Sequence, residues 1–140
     1  MKKLMLLLVE DNPADVFLVQ EAIREEGLDC DLHLVDDGEQ AIQFFDRVDA
    51  GSEEPPDLLL LDLNVPRIGG EQVLERLRRT QGGAHIMVVV ITSSDSPHDR
   101  QRAVDLGADE YFRKPTNLED FMALGKLVRR LAEKRRGAVA

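Results

Sequence analysis

Glu10, Asp11, Asp62, Asn64, Thr92 and Lys114 are residue types that do chemistry with charged oxygen ligands, and each falls at or just past the end of a short apolar block. Glu10-Asp11 follows Leu4–Val9. Asp62 follows Leu58–Leu61, with Asn64 two residues on, and Thr92 follows Ile86–Ile91. Lys114 closes a weaker block that starts at Glu110–Phe112. Carboxylates about 4 Å apart repel by about 4 kcal/mol at an effective dielectric near 20. Three in one cleft therefore require shared protons or a bound cation. With no His or Cys among them, hard oxygen donors favour Mg²⁺, which takes one or two carboxylates and keeps several waters. Lys114 adds a compact positive charge and Thr92 a hydroxyl. Cation, ammonium, hydroxyl and carboxylate together suit a phosphoryl group, whose transfer depends on positioning and charge neutralisation. Asp62 would then be a ligand or the nucleophile.

Taken singly, these residues have plainer explanations. An acid after a strand commonly caps a helix or faces solvent, Thr92 could simply end a strand, and Lys114 could be a surface lysine. Their joint placement at the ends of four strands is what points to a site.

That placement depends on the elements. The three strong apolar blocks show no alternation, as expected of strands buried on both faces of a parallel sheet. Asp31–Val35 and Glu110–Phe112 are weaker strands. Helical spacing fills the gaps. Val16, Val19 and Ile23 follow an Asn12-Pro13 start and end at Gly27. Ala41, Phe44, Phe45 and Val48 form a second helix, and Val73, Leu74 and Leu77 a third. Ser96-Pro97-His98-Asp99 resembles a capping box opening a helix with Ala103 and Val104 inward. The last helix starts near Asn117 and buries Phe121, Leu124, Val128 and Leu131. Asp46–Pro56 reads as an exposed loop. Five strand–helix repeats imply right-handed crossovers and a doubly wound α/β fold. In such sheets ligands sit beyond the carboxyl ends of the strands, where the strand order reverses. The candidate residues all lie there.

Composition narrows the functions further. A chain of 140 residues is one domain, 43% hydrophobic and 32% charged, which is too apolar for disorder. The net charge of -9 and 4% aromatic content disfavour nucleic acid and anionic membranes as partners. The single cysteine, Cys30, rules out an internal disulfide and reads as a small, partly buried residue. Met1-Lys2-Lys3 and the apolar run after it mimic a signal peptide. Glu10-Asp11-Asn12-Pro13 stands where a cleavage site would belong, so a cytoplasmic protein is expected. His33, His85 and His98 are scattered without metal-ligand spacing. Lys126–Arg136 carries six basic residues against Glu133, which suits a helix C-terminus better than nucleic-acid binding.

The sequence resembles the receiver domain of two-component response regulators over nearly its whole length. The matching pieces are Leu8-Val9-Glu10-Asp11-Asn12, Leu60–Pro66 with Gly70, Ile91-Thr92-Ser93, and Gly107-Ala108 followed by Tyr111 and Lys114-Pro115. The resemblance implies a flavodoxin-like fold with five helices and strand order 2-1-3-4-5. It also implies a single receiver domain over residues 1–140 with no output domain. Asp62 would accept a phosphoryl group from the histidine of a partner kinase. Asp11 and Asp62 would ligate Mg²⁺ directly, Glu10 through water and Asn64 through its backbone carbonyl. Lys114 would pair with the phosphoryl oxygens, and its bond to Pro115 would be cis. Thr92 would swing toward the phosphate, Tyr111 would turn inward as the second switch residue, and Asn64 and Ser94 would tune water access.

Where many receivers carry two aspartates, this chain has Glu10-Asp11, which keeps the charge. Glu10–Asp15 together with Asp62–Arg67 is similar to the stand-alone subset that partners phytochrome-type photoreceptor histidine kinases. Output would be protein–protein contact, or the chain would act as a phosphate relay or sink, with at most weak autophosphatase activity. An uncovered part of the last helix, with Leu127, would offer a homodimer seam. The rival from a different class is a Mg²⁺-dependent phosphohydrolase with an aspartyl nucleophile. Position 64 counts against it, because it holds Asn rather than a second Asp.

Overall fold

The computed structural model describes residues 3–139, with side chains through Arg135. Met1, Lys2 and the side chain of Arg136, all named in the sequence reading, lie outside the described residues. The elements alternate as β1 (Leu4–Val9), α1 (Pro13–Glu25), β2 (Cys30–Val35), α2 (Gly38–Asp49), β3 (Leu58–Asp62), α3 (Gly70–Arg79), β4 (Met87–Thr92), α4 (Pro97–Asp105) and β5 (Glu110–Arg113). The last helix comes in two pieces, α5 (Leu118–Phe121) and α6 (Ala123–Val139). They join through Met122, whose φ of -62° and ψ of -20° remain in the right-handed helical region. All five strands are parallel, in the order β2-β1-β3-β4-β5.

The unalternating strands are buried on both faces, as their composition requires. Side chains alternate across each strand, so one strand feeds two cores. Leu7, Val9, Leu59, Leu61, Val88 and Val90 pack with Phe44, Val73 and Leu77 of α2 and α3. Leu6, Leu8, Leu58, Leu60, Val89 and Ile91 pack on the other face with Val19 of α1 and with Phe121, Leu124 and Val128 of the last helix. That stripe of the last helix is buried in the chain, leaving Leu127 half-buried. Several of the basic residues beside it pair internally. Arg129 meets Glu26 at 2.8 Å, Arg130 meets Glu110 at 3.1 Å and Arg135 meets Asp57 at 3.4 Å.

Three details differ from the expectations, the first being Val104: expected inward on α4, it is 55% exposed, leaving only Ala103 buried there. Helix α2 continues through Asp49, so the irregular stretch begins at Ala50 rather than Asp46, and Gly51 at φ 79° turns the chain away. No peptide bond among the described residues is cis, so Lys114–Pro115 is trans, against expectation. The trans form is favoured by about 0.5–1 kcal/mol even before proline. Here it already lets the Lys114 amide donate to the Thr92 carbonyl at 2.7 Å and the ammonium reach the acidic cleft.

The loop after β3 is seated on the start of α2. The Gly38 amide donates to the Pro66 carbonyl at 3.2 Å, and a Cβ on Gly38 would lie 1.8 Å from the Ile68 carbonyl oxygen. Gly38→Ala is therefore expected to destabilise the protein by about 2 kcal/mol, the scale of overpacking. Urea unfolding of the variant checks this.

Candidate functional site

The register brings the acids together. The last β1–β3 pair is Val9 with Leu61, so Glu10 and Asp62 are the next residues along neighbouring strands. Asp11 stands one step further out, at the entrance to α1. Carboxylate oxygens of Glu10, Asp11 and Asp62 all lie within 4.8 Å of one another. Glu10 and Asp62 are 1% and 5% exposed, whereas Asp11 faces solvent. Two buried acids beside a third, all oxygen donors and open on one side, fit a hard divalent cation that keeps part of its water shell. The Asn64 amide donates to Asp62 Oδ1 at 2.9 Å, turning the loop past the cleft. Amides of Asp11 and Asn12 donate to Glu10 Oε2 at 3.1 and 3.3 Å, fixing the other carboxylate.

Lys114 enters from β5, across the sheet. Its Nζ lies 2.7 Å from Glu10 Oε1, 2.7 Å from Asp15 Oδ2 and 3.0 Å from Asp62 Oδ2. Burial works to depress the ammonium's pKa, but hydrogen bonds to Asp15, Glu10 and Asp62 outweigh it and hold Lys114 above the ordinary lysine range. Glu10 moves the opposite way for an acid. Burial first, then the neighbouring Asp62, pushes its carboxyl up to about 7, against the pull of Lys114.

The raised value couples stability to pH. The folded state holds the Glu10 proton up to about pH 7, while the unfolded state releases it near 4.5. Folding stability from this group therefore falls as pH rises through that window and is flat above it. In EDTA, Glu10→Gln should gain on the wild type from pH 4.5 to 7, the gap then levelling off. A gap independent of pH, measured by urea unfolding, would contradict this.

The remaining candidates sit around the same cleft. Thr92 is 1% exposed at the end of β4, and its Oγ accepts from the Ser94 amide at 3.2 Å. Ser94 donates its hydroxyl to Asp99 at 2.6 Å and its carbonyl accepts from the Tyr111 hydroxyl at 2.8 Å. Tyr111 is half-buried, packs against the α2–α3–α4 core and has the Arg100 guanidinium 4.6 Å from its ring centre. One loop thus links Thr92, Tyr111 and the start of α4. A cleft of about 390 Å³, lined by Asn64, Glu71, Gln72, Thr92, Ser94 and Asp99, opens between this loop and the one after β3. His33 packs edge-on against Phe44, away from the acids.

Asp15 is the residue the sequence reading left without a role. It lies in the first turn of α1, where an acid is sufficiently explained by the helix dipole. Its contact with Lys114 spans 99 positions, and no local pattern reveals it.

Residues 6–125 match the response regulator receiver domain family. The chain belongs to that family. It is 35% identical over 120 residues to the response regulator Rcp1 of Synechocystis sp., covering 85% of this chain and 82% of Rcp1. It is 37% identical over 133 residues to the transcriptional regulatory protein TrcR of Mycobacterium tuberculosis, covering 94% of this chain but only 48% of that longer protein. Among solved structures, it resembles the phosphorylated cyanobacterial phytochrome response regulator RcpA, with a TM-score of 0.82 and 31% identity over 91% of both chains. The Mn²⁺-bound form of Rcp1 matches at a TM-score of 0.79 and 33% identity, over 89% of this chain and 90% of that one. This receiver domain is part of a two-component system, a class in which phosphorylation falls on an aspartate and divalent metals bind at the acidic cluster. The rival phosphohydrolase gains no support from position 64, where Asn64 supplies no second carboxylate.

Proposed function

We propose that Asp62 is the phosphoacceptor of this receiver and that a histidine kinase of the phytochrome photoreceptor type is its donor. The observation that carries this reading is the convergence of Lys114 with buried Glu10 and Asp62 beside a three-carboxylate cluster. An oxygen of Asp62 attacks phosphorus, the N–P bond of the phosphohistidine breaks, and its electron pair passes to the imidazole. Lys114 holds the incoming oxygens by charge and hydrogen bonding. Thr92 Oγ turns to the transferred group, releasing the Ser94 amide, and Tyr111 follows the loop that it grips through the Ser94 carbonyl. Glu10, Asp11, Asp62 and the Asn64 carbonyl would hold Mg²⁺, which when bound neutralises charge on the phosphoryl oxygens. Asn64 and Ser94, both on the 390 Å³ cleft, would regulate water access to the acyl phosphate.

The likeness to Rcp1 and RcpA along most of their own lengths supports a receiver that signals by protein contact or relays phosphate. A cytoplasmic setting follows from a kinase donor, and no helix among the described residues is long and apolar enough to cross a membrane. The internally paired arginines and the net charge of -9 count against nucleic acid as a partner. Self-association through the last helix would rest on Leu127, and sedimentation velocity tests it. Phosphotransfer at short times from a panel of histidine kinases tests the donor. Phytochrome-type kinases should label the chain at least tenfold faster than the others, and equal labelling by all would contradict the assignment.

A further inference from the structure

An ammonium group has three hydrogens to donate, and Lys114 already faces three carboxylates. Two of them, Glu10 and Asp62, belong to the strand-end site. The third, Asp15, comes from α1 and lies outside the trio that could share a cation. It is not a loose surface contact. Asp15 Oδ2 is 2.7 Å from Nζ, as close as Glu10, and the side chains of Lys114 and Asp15 are 10% and 20% exposed. The Asp15 amide donates to Asn12 Oδ1 at 3.4 Å, so the residue is fixed by the capped start of the helix.

We propose that Asp15 is a positioning residue that acts through Lys114 as a brake on phosphoryl occupancy. This deepens the phosphoacceptor reading and rests on it. In the free protein Asp15 holds the ammonium toward α1. A phosphoryl group on Asp62 brings additional negative charge within reach of the same ammonium, so Asp15 and the phosphoryl oxygens compete for its hydrogens and repel each other. Asp15 acts in the opposite sense on a divalent cation. Its charge attracts the cation, and by taking up one of the ammonium's three hydrogens it weakens the hold of Lys114 on Glu10 and Asp62. The residue therefore favours the metal-loaded, unphosphorylated state and shifts the transfer equilibrium back toward the kinase.

Asp15→Asn is close in shape and removes the charge. Titrating the full chain by calorimetry with Mg²⁺ alone, then with beryllofluoride at saturating Mg²⁺ as the acyl-phosphate analogue, separates the two effects. The variant should bind Mg²⁺ at least threefold more weakly and beryllofluoride at least threefold more tightly than the wild type. Asp15→Glu, which keeps the charge, should follow the wild type in both. A merely structural role would move both affinities the same way. Shifts of equal sign, no shift in either, or an Asp15→Glu that behaves like Asp15→Asn would overturn the inference while leaving the phosphoacceptor reading intact. Failure of the wild type to bind beryllofluoride would instead remove that reading and the brake with it.

Discussion

Replacing Lys114 with methionine should cost the metal-free protein about 3 kcal/mol at pH 8, roughly a 10 °C fall in Tm for a domain of this size. The reason lies in what the substitution leaves behind. Glu10 and Asp62 are nearly inaccessible and Asp15 is largely covered, so removing the ammonium strands three acids with too little water to solvate them. The methionine fills the volume of the lysine stem, so the loss reports charge rather than a cavity. Added Mg²⁺ should recover part of the lost stability, because it returns positive charge to Glu10 and Asp62 but not to Asp15. Phosphorylation from a small donor should fall on the order of 100-fold, the scale of losing one charged stabiliser of a transferring group. Thermal melts in EDTA and in Mg²⁺ check the first part. Equal Tm values for variant and wild type in EDTA would mean that Lys114 does not bind the acids together.

Asp62→Asn removes the nucleophile and keeps the shape. Phosphorylation should drop to background, since no other carboxylate occupies the same place beside Lys114, Thr92 and the Asn64 amide. Glu10 is the other buried acid of the trio, but its Oε2 accepts the amides of Asp11 and Asn12 while Oε1 meets Lys114. The variant should fold, and its Mg²⁺ affinity should fall on the order of tenfold with the loss of one charged ligand. Mass spectrometry of intact variant after treatment with a small phosphodonor reads the first result, and calorimetry the second.

How much of this was legible depends on where the information lies. β1 was readable to the residue, because Leu4–Val9 is an unbroken apolar run between polar neighbours and its burial on two faces demands one. The edge strand β2 was weaker, because much of it faces solvent and its sequence need not be apolar. The pairing of Glu10 with Asp62 follows once β1 and β3 are neighbours, an order supplied by the resemblance and not by local pattern. Lys114 follows β5, which β4 separates from β3, so only its place after a strand and the resemblance tied it to the site. Asp15 was not, because a first-turn acid needs no tertiary partner to explain it. The break at Met122 left no mark either, since its neighbours keep the helical spacing of Phe121 and Leu124. The trans Lys114–Pro115 bond contradicts an expectation taken from resemblance, and local sequence sets only a small preference between the two isomers.

In the proposed reading, Asp62 takes a phosphoryl group in a cleft that needs both a divalent cation and Lys114. Intact-mass spectrometry after incubation with acetyl phosphate tests it most directly, using wild type in Mg²⁺, wild type in EDTA, and Asp62→Asn in Mg²⁺. The first sample should gain one phosphoryl group and the other two none. A gain that survives in EDTA or in Asp62→Asn would contradict that reading.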